Sequence, residues 1–67
     1  MTLSLRIFDV SGRLVISLID GDPYSEGRHE VIWNGRDETG RKASSGTYFY
    51  KLEAGGYSET KRMVLIK

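Results

Sequence analysis

The sequence predicts an all-β fold, an antiparallel β-sandwich or small barrel of about five strands. Three observations carry that prediction. Apolar and polar residues alternate in short blocks, as in Leu3, Leu5 and Ile7 against Ser4 and Arg6. Turn-forming residues separate the blocks at intervals of roughly 8 to 12 residues. Eight glycines are spread along the 67 residues, and no segment keeps a helical apolar period over several turns.

Each element can be justified in order. Residues 2–9 alternate cleanly and form the first strand. Val10-Ser11-Gly12 is a turn, with Gly12 suited to positive φ and Asp9 placed to cap it. Residues 13–19 form the second strand; the apolar run Leu14-Val15-Ile16 implies burial on both faces or a bulge. Asp20-Gly21-Asp22-Pro23 reads as a turn, with a connection running on to Gly27. Residues 28–33 form a third strand with Val31 and Trp33 on one face. Asn34 to Ser45 is a long polar connection, in which Asn34-Gly35 and Thr39-Gly40 can each close a turn. Residues 46–54 form a fourth strand, with Tyr48, Tyr50 and Leu52 facing the core and Phe49 among polar neighbours. Gly55-Gly56 closes a hairpin onto residues 57–66, where Met63 and Leu65 compete with Val64 and Ile66 for the core. No internal repeat, low-complexity tract or linker is evident, so residues 1–67 read as one module.

Composition narrows the function classes. A chain this short has a marginal core and needs good packing or a partner. It has no cysteine and one histidine, His29, so disulfides, thiolate metal sites and a histidine-based zinc site are not expected. The net charge is +1 with both signs scattered, which does not favour nucleic acid. The basic end formed by Lys61, Arg62 and Lys67 reads as solvated strand residues that discourage edge aggregation. No apolar run is long enough to span a membrane, and the amino terminus shows no charged-then-apolar signal pattern, so an export signal, if one is used, is expected on another part of the polypeptide.

Four blocks in order carry a family resemblance: Ile7 to Arg13, His29 to Asp37 with Gly40, Ser45 to Tyr50, and Lys61 to Leu65. They resemble the immunoglobulin-like domain of the flagellar hook-capping protein. They also resemble related domains at the carboxyl ends of secreted bacterial proteins, including type IX sorting domains. The resemblance implies an immunoglobulin-like antiparallel β-sandwich. Such domains usually carry one or two strands before the block that begins here at Leu3, so this sandwich is expected to be incomplete, either a truncated domain or one completed by a partner chain, the rival expectation being five strands that close well enough to stay monomeric. Strand edges left unpaired are templates for self-association.

For function, the resemblance implies a non-catalytic structural or sorting module, extracytoplasmic and part of a longer protein. Its folded surface and last strand would be recognised by export machinery, with Lys61, Met63, Val64, Leu65 and Lys67 as the contact residues. The alternative is a self-associating assembly module of the hook-capping kind. The expected partner is thus a protein: the export machinery, the parent polypeptide or a second copy. A carbohydrate-binding module is a weaker alternative, with Phe49 and Tyr57 as exposed aromatic contacts.

Trp33, Asn34, Gly35, Asp37 and Gly40 are expected to build the long loop, with Trp33 packed beneath it and Asn34 and Asp37 bonded to backbone. Calcium at Asn34, Asp37 and Glu38 is the chemical alternative, but the spacing lacks a cation-loop pattern. Arg13 and Arg36 are candidates to pair with Asp9 or Asp37. Ser11, His29 and Asp9 lack the context of a hydrolase triad, and Gly35-Arg36-Asp37 holds the letters of an integrin-type tripeptide in the wrong order. No catalytic residue, cofactor or metal is expected.

Overall fold

A computed structural model describes residues 2–23 and 32–66. Within them, four strands form one open antiparallel sheet: β1 (Thr2–Phe8), β2 (Leu14–Pro23), β3 (Gly46–Ala54) and β4 (Tyr57–Leu65). The spatial order is β2-β1-β3-β4, so β1 and β3 are central. The all-β class holds, and the single sheet corresponds to one layer of an incomplete sandwich.

The alternation in β1 and β3 sets the two faces. Leu3, Leu5 and Ile7 stand opposite Ala54, Leu52 and Tyr50. Across the other side of β1, Leu5 faces Ile19 and Ile7 faces Ile16. This is the core face, and Leu3, Ile7, Ile19 and Tyr48 are its buried hydrophobic side chains. Among the described residues these four are the buried apolar side chains, a small core. On the opposite face Phe8 stands across from Phe49, beside ion pairs from Arg6 to Asp20 at 3.2 Å and to Glu53 at 3.4 Å. The competition within the last strand is decided the same way. Met63 faces Tyr48 across the ladder, whereas Val64 is 62% exposed.

β2 departs from the predicted boundaries. It continues through Asp20-Gly21-Asp22-Pro23, which pair with Ser4, Leu3 and Thr2 of β1 instead of turning away. Those turn-forming residues serve a bulge. The register shifts between Leu3/Ser4, between Leu5/Arg6 and between Ile7/Phe8, each adding a residue on the β2 side. The run Leu14-Val15-Ile16 is therefore apolar because a bulge breaks the alternation there. The β3–β4 ladder has no such irregularity: Gly46 to Ala54 pair in unbroken register with Leu65 to Tyr57.

The strand expected at residues 28–33 falls mostly outside the described residues. Ile32 and Trp33, which are described, lie in no strand. Four strands, not five, are thus present among the described residues. The hairpin at Gly55-Gly56 is as expected: Ala54 pairs with Tyr57, and Gly55 alone of the two has positive φ, at 59°, the signature of a II′ turn.

Candidate functional site: twin aspartate turns and two unlike sheet edges

The connection from β1 to β2 and the long loop before β3 use the same device. In Asp9-Val10-Ser11-Gly12-Arg13, one oxygen of Asp9, Oδ1, accepts from Ser11 N at 2.9 Å, Ser11 Oγ at 2.6 Å and Arg13 N at 3.0 Å. In Asp37-Glu38-Thr39-Gly40-Arg41, Asp37 Oδ1 accepts from Thr39 N at 2.9 Å, Thr39 Oγ1 at 2.7 Å and Arg41 N at 3.0 Å. The backbone matches too. Gly12 N and Gly40 N donate to the aspartate carbonyls, and the aspartate N–H groups donate to Arg13 O and Arg41 O. Gly12 and Gly40 have φ of 88° and 86°, where a side chain would be strained. The chain therefore does contain a short repeat, Asp-x-Ser/Thr-Gly-Arg, contrary to the sequence reading. The signal was visible in the residues, but five positions are too few to register as a fold-level period.

These bonds favour ionised carboxylates. The Ser11 hydroxyl, with backbone donors behind it, holds Asp9 below its usual range. The Thr39 hydroxyl does the same for Asp37, reinforced by Arg41 N–H. The Arg13 charge adds to the lowering of Asp9, as expected, but Arg36 goes elsewhere. Arg36 Nη1 donates to Gly40 O at 2.8 Å, so it ties the second turn through a carbonyl and not through a carboxylate.

The long loop folds back over one end of the core face. Trp33 packs edge-on against Tyr48, with ring centroids 5.2 Å apart, and its Nε1 donates to Arg36 O at 2.9 Å. Asn34 Oδ1 accepts from Arg36 N at 3.1 Å. Gly35 is buried, and a Cβ there would sit 3.5 Å from a Leu65 methyl. Tyr48 Oη donates to Ser44 O at 2.6 Å. The five expected loop residues thus form one covering structure. The calcium donor set is dispersed: Asn34 and Asp37 bond backbone within the loop, while Glu38 reaches β2. Among the described residues no group of His, Cys, Asp or Glu is disposed to hold a metal.

Between the twin turns lies an open cleft of about 440 Å³, with Asp9, Arg13, Asp37, Glu38 and Tyr48 on its walls. Its acidic groups are already engaged: Asp9 and Asp37 in their turns, Glu38 on β2. Ser11 donates its hydroxyl proton to Asp9. His29, the third member of the imagined triad, lies outside the described residues.

The two edges of the sheet differ. On β2, Glu38 N donates to Val15 O at 3.0 Å and Ser17 N donates to Glu38 Oε1 at 2.8 Å. Glu38 thereby occupies outward backbone groups of an edge that is already kinked by bulges. This is a role no local pattern announces, because Glu38 and Ser17 are 21 positions apart. On β4, among the described residues, β3 is the one strand neighbour and the outer edge is bare. Tyr57, Glu59 and Lys61 line up on its core-side face, with Lys61 Nζ 3.2 Å from Glu59. Hydrogen bonds from the Tyr57 hydroxyl and from Lys61 hold Glu59 below its usual range.

The expected contact residues divide between the faces. Lys61, Met63 and Leu65 share the core face, Val64 points the other way, and Lys67 lies outside the described residues. Phe49 and Tyr57 also lie on opposite faces: Phe49 is half-buried across from Arg62, and Tyr57, 54% exposed, pairs with Ala54. They form no common aromatic platform.

Among the described residues, an antiparallel β layer with a covered end, locked turns and one bare edge is consistent with one layer of an immunoglobulin-like structural module. The FlgD Ig-like domain family matches residues 1–58, and the chain belongs to that family. The match spans β1 to β3 and enters β4. No curated protein and no solved structure matches the chain.

Proposed function

We propose that this chain is a non-catalytic assembly module, related to the hook-capping immunoglobulin-like domains, that works by docking against protein surfaces, copies of itself included. Membership of the FlgD Ig-like family over residues 1–58 carries the reading. The open sheet supports it: among the described residues few side chains are fully buried, and one outer strand edge has no strand beside it. Light scattering across a wide concentration range tests it. Mass that rises with concentration supports assembly, and a folded monomer at every concentration removes self-assembly.

A sorting role in an extracytoplasmic protein is the second reading. It is favoured by the exposed positions of Lys61 and Val64 on the bare edge strand. Export machinery would then read that strand on a fused cargo. Unchanged export of a cargo carrying Lys61→Ala and Val64→Ser, with the fold intact, removes this reading.

A further inference from the structure

We infer that β4 is a self-pairing edge, joining a second copy of this chain antiparallel about a two-fold axis centred on Thr60. The inference rests on the assembly reading above and specifies its surface. The first support is the contrast between the edges. β2 is bulged at three places and two of its backbone groups, Val15 O and Ser17 N, are taken by Glu38, whereas β4 is regular along its length and bare among the described residues.

The second support is register. The two-residue hairpin makes Ala54 and Tyr57 a hydrogen-bonded pair, so the odd-numbered residues of β4 direct their backbone groups to β3. Ser58, Thr60, Arg62 and Val64 therefore turn their N–H and C=O groups outward. A two-fold antiparallel pair that keeps both core faces on one side must be centred on a residue. Centring on Glu59, Lys61 or Arg62 sets like charges directly opposite. Centring on Thr60 sets Glu59 against Lys61 of the second copy, and Lys61 against its Glu59. Tyr57 then meets Met63, an aromatic–thioether contact. Each of these falls at a non-hydrogen-bonded pair, where side chains approach most closely. Thr60 meets Thr60 and Ser58 meets Arg62 at the hydrogen-bonded positions, giving about six backbone bonds. The product is a continuous sheet, β2-β1-β3-β4-β4′-β3′-β1′-β2′, with primes marking the second copy. Both core faces lie on the same side.

The test is sedimentation equilibrium of the whole chain and three variants, with far-UV circular dichroism to check folding. Lys61→Glu and Glu59→Lys each place like charges in both symmetric pairs. Each is expected to weaken dimerisation by roughly 30-fold. An equimolar mixture of the two variants is expected to restore it. In the mixed pair, both acidic side chains of one chain face both basic side chains of the other. An effect confined within one chain cannot be rescued by mixing. Thr60→Pro removes an outward N–H without touching the β3 ladder and is expected to leave a folded monomer. A parent chain that self-associates while these variants associate equally well overturns the Thr60-centred edge and leaves the assembly reading standing. A parent chain that stays monomeric overturns the self-pairing edge and removes self-assembly from the reading above, leaving docking on other proteins.

Discussion

Replacing Ile7 with alanine tests which face of the sheet is the core. Ile7 is 2% exposed, lies on a central strand, and faces Ile16 and Tyr50 from its two neighbours. Truncating a buried isoleucine costs about 2–5 kcal/mol through lost transfer energy and the cavity left behind. The neighbours Leu5, Ile16 and Tyr50 are only half-buried and can settle into the space. That places the expected loss toward the lower part of the range, at about 3 kcal/mol. A domain of 67 residues has a total stability of about 3–10 kcal/mol. The substitution therefore removes a third or more of it, and lowers the melting temperature by about 12–24 °C. Thermal unfolding by circular dichroism at low protein concentration reads this without a contribution from association. Val64→Ala, at a 62% exposed site on β4, is the control and should stay within about 0.5 kcal/mol. A loss below about 1 kcal/mol at Ile7, or an equal loss at Val64, refutes the assignment of the core face.

Tyr48→Phe removes the bond to Ser44 O while keeping the ring against Trp33, and should cost about 1 kcal/mol in urea unfolding. Gly12→Ala and Gly40→Ala meet no atom within 4 Å, so the cost is backbone strain alone, about 1–2 kcal/mol and similar at the two sites; a large difference between them in chemical unfolding would show that the turns are not equivalent. Asp9 and Asp37 have folded-state values below their unfolded ones, so their contribution is complete above the ordinary value of 3.8 and is lost as pH falls through the depressed folded values. The urea midpoint should accordingly drop on acidification below about pH 4, and the double variant Asp9→Asn, Asp37→Asn should flatten that limb of the curve.

Local chemistry was legible in the sequence and long-range chemistry was not. The alternation Leu3-Leu5-Ile7 and Tyr48-Tyr50-Leu52 identified two strands and their buried face, because period-two patterning is written residue by residue. Gly55-Gly56 and Ser11-Gly12 announced their turns for the same reason. Asp20-Gly21-Asp22-Pro23 misled because the residues that favour turns are also those that tolerate a bulge, and pairing with β1 decided between the two. The edge-guarding role of Glu38 depends on the loop lying along β2, which no local signal encodes. Phe49 and Tyr57 looked like a pair because both stand apart from the core pattern, but hairpin parity separates them. The family resemblance supplied the module class, which composition alone did not.

The locked turn at Asp9 also bears on how the chain finds its fold. β1 and β2 meet through a connection of a few residues, as do β3 and β4, so each hairpin closes at small entropic cost. The seam between the hairpins is the β1–β3 ladder, whose Arg6 and Glu53 are 47 positions apart. Joining that seam is the slow, non-local event, as contact order requires. Kinetic measurements should find that substitutions in the β1–β3 seam slow folding, while truncations at the far margin of β4 chiefly accelerate unfolding. Neither two-stranded ribbon is stable alone, so the fold is secured only when the β1–β3 seam closes.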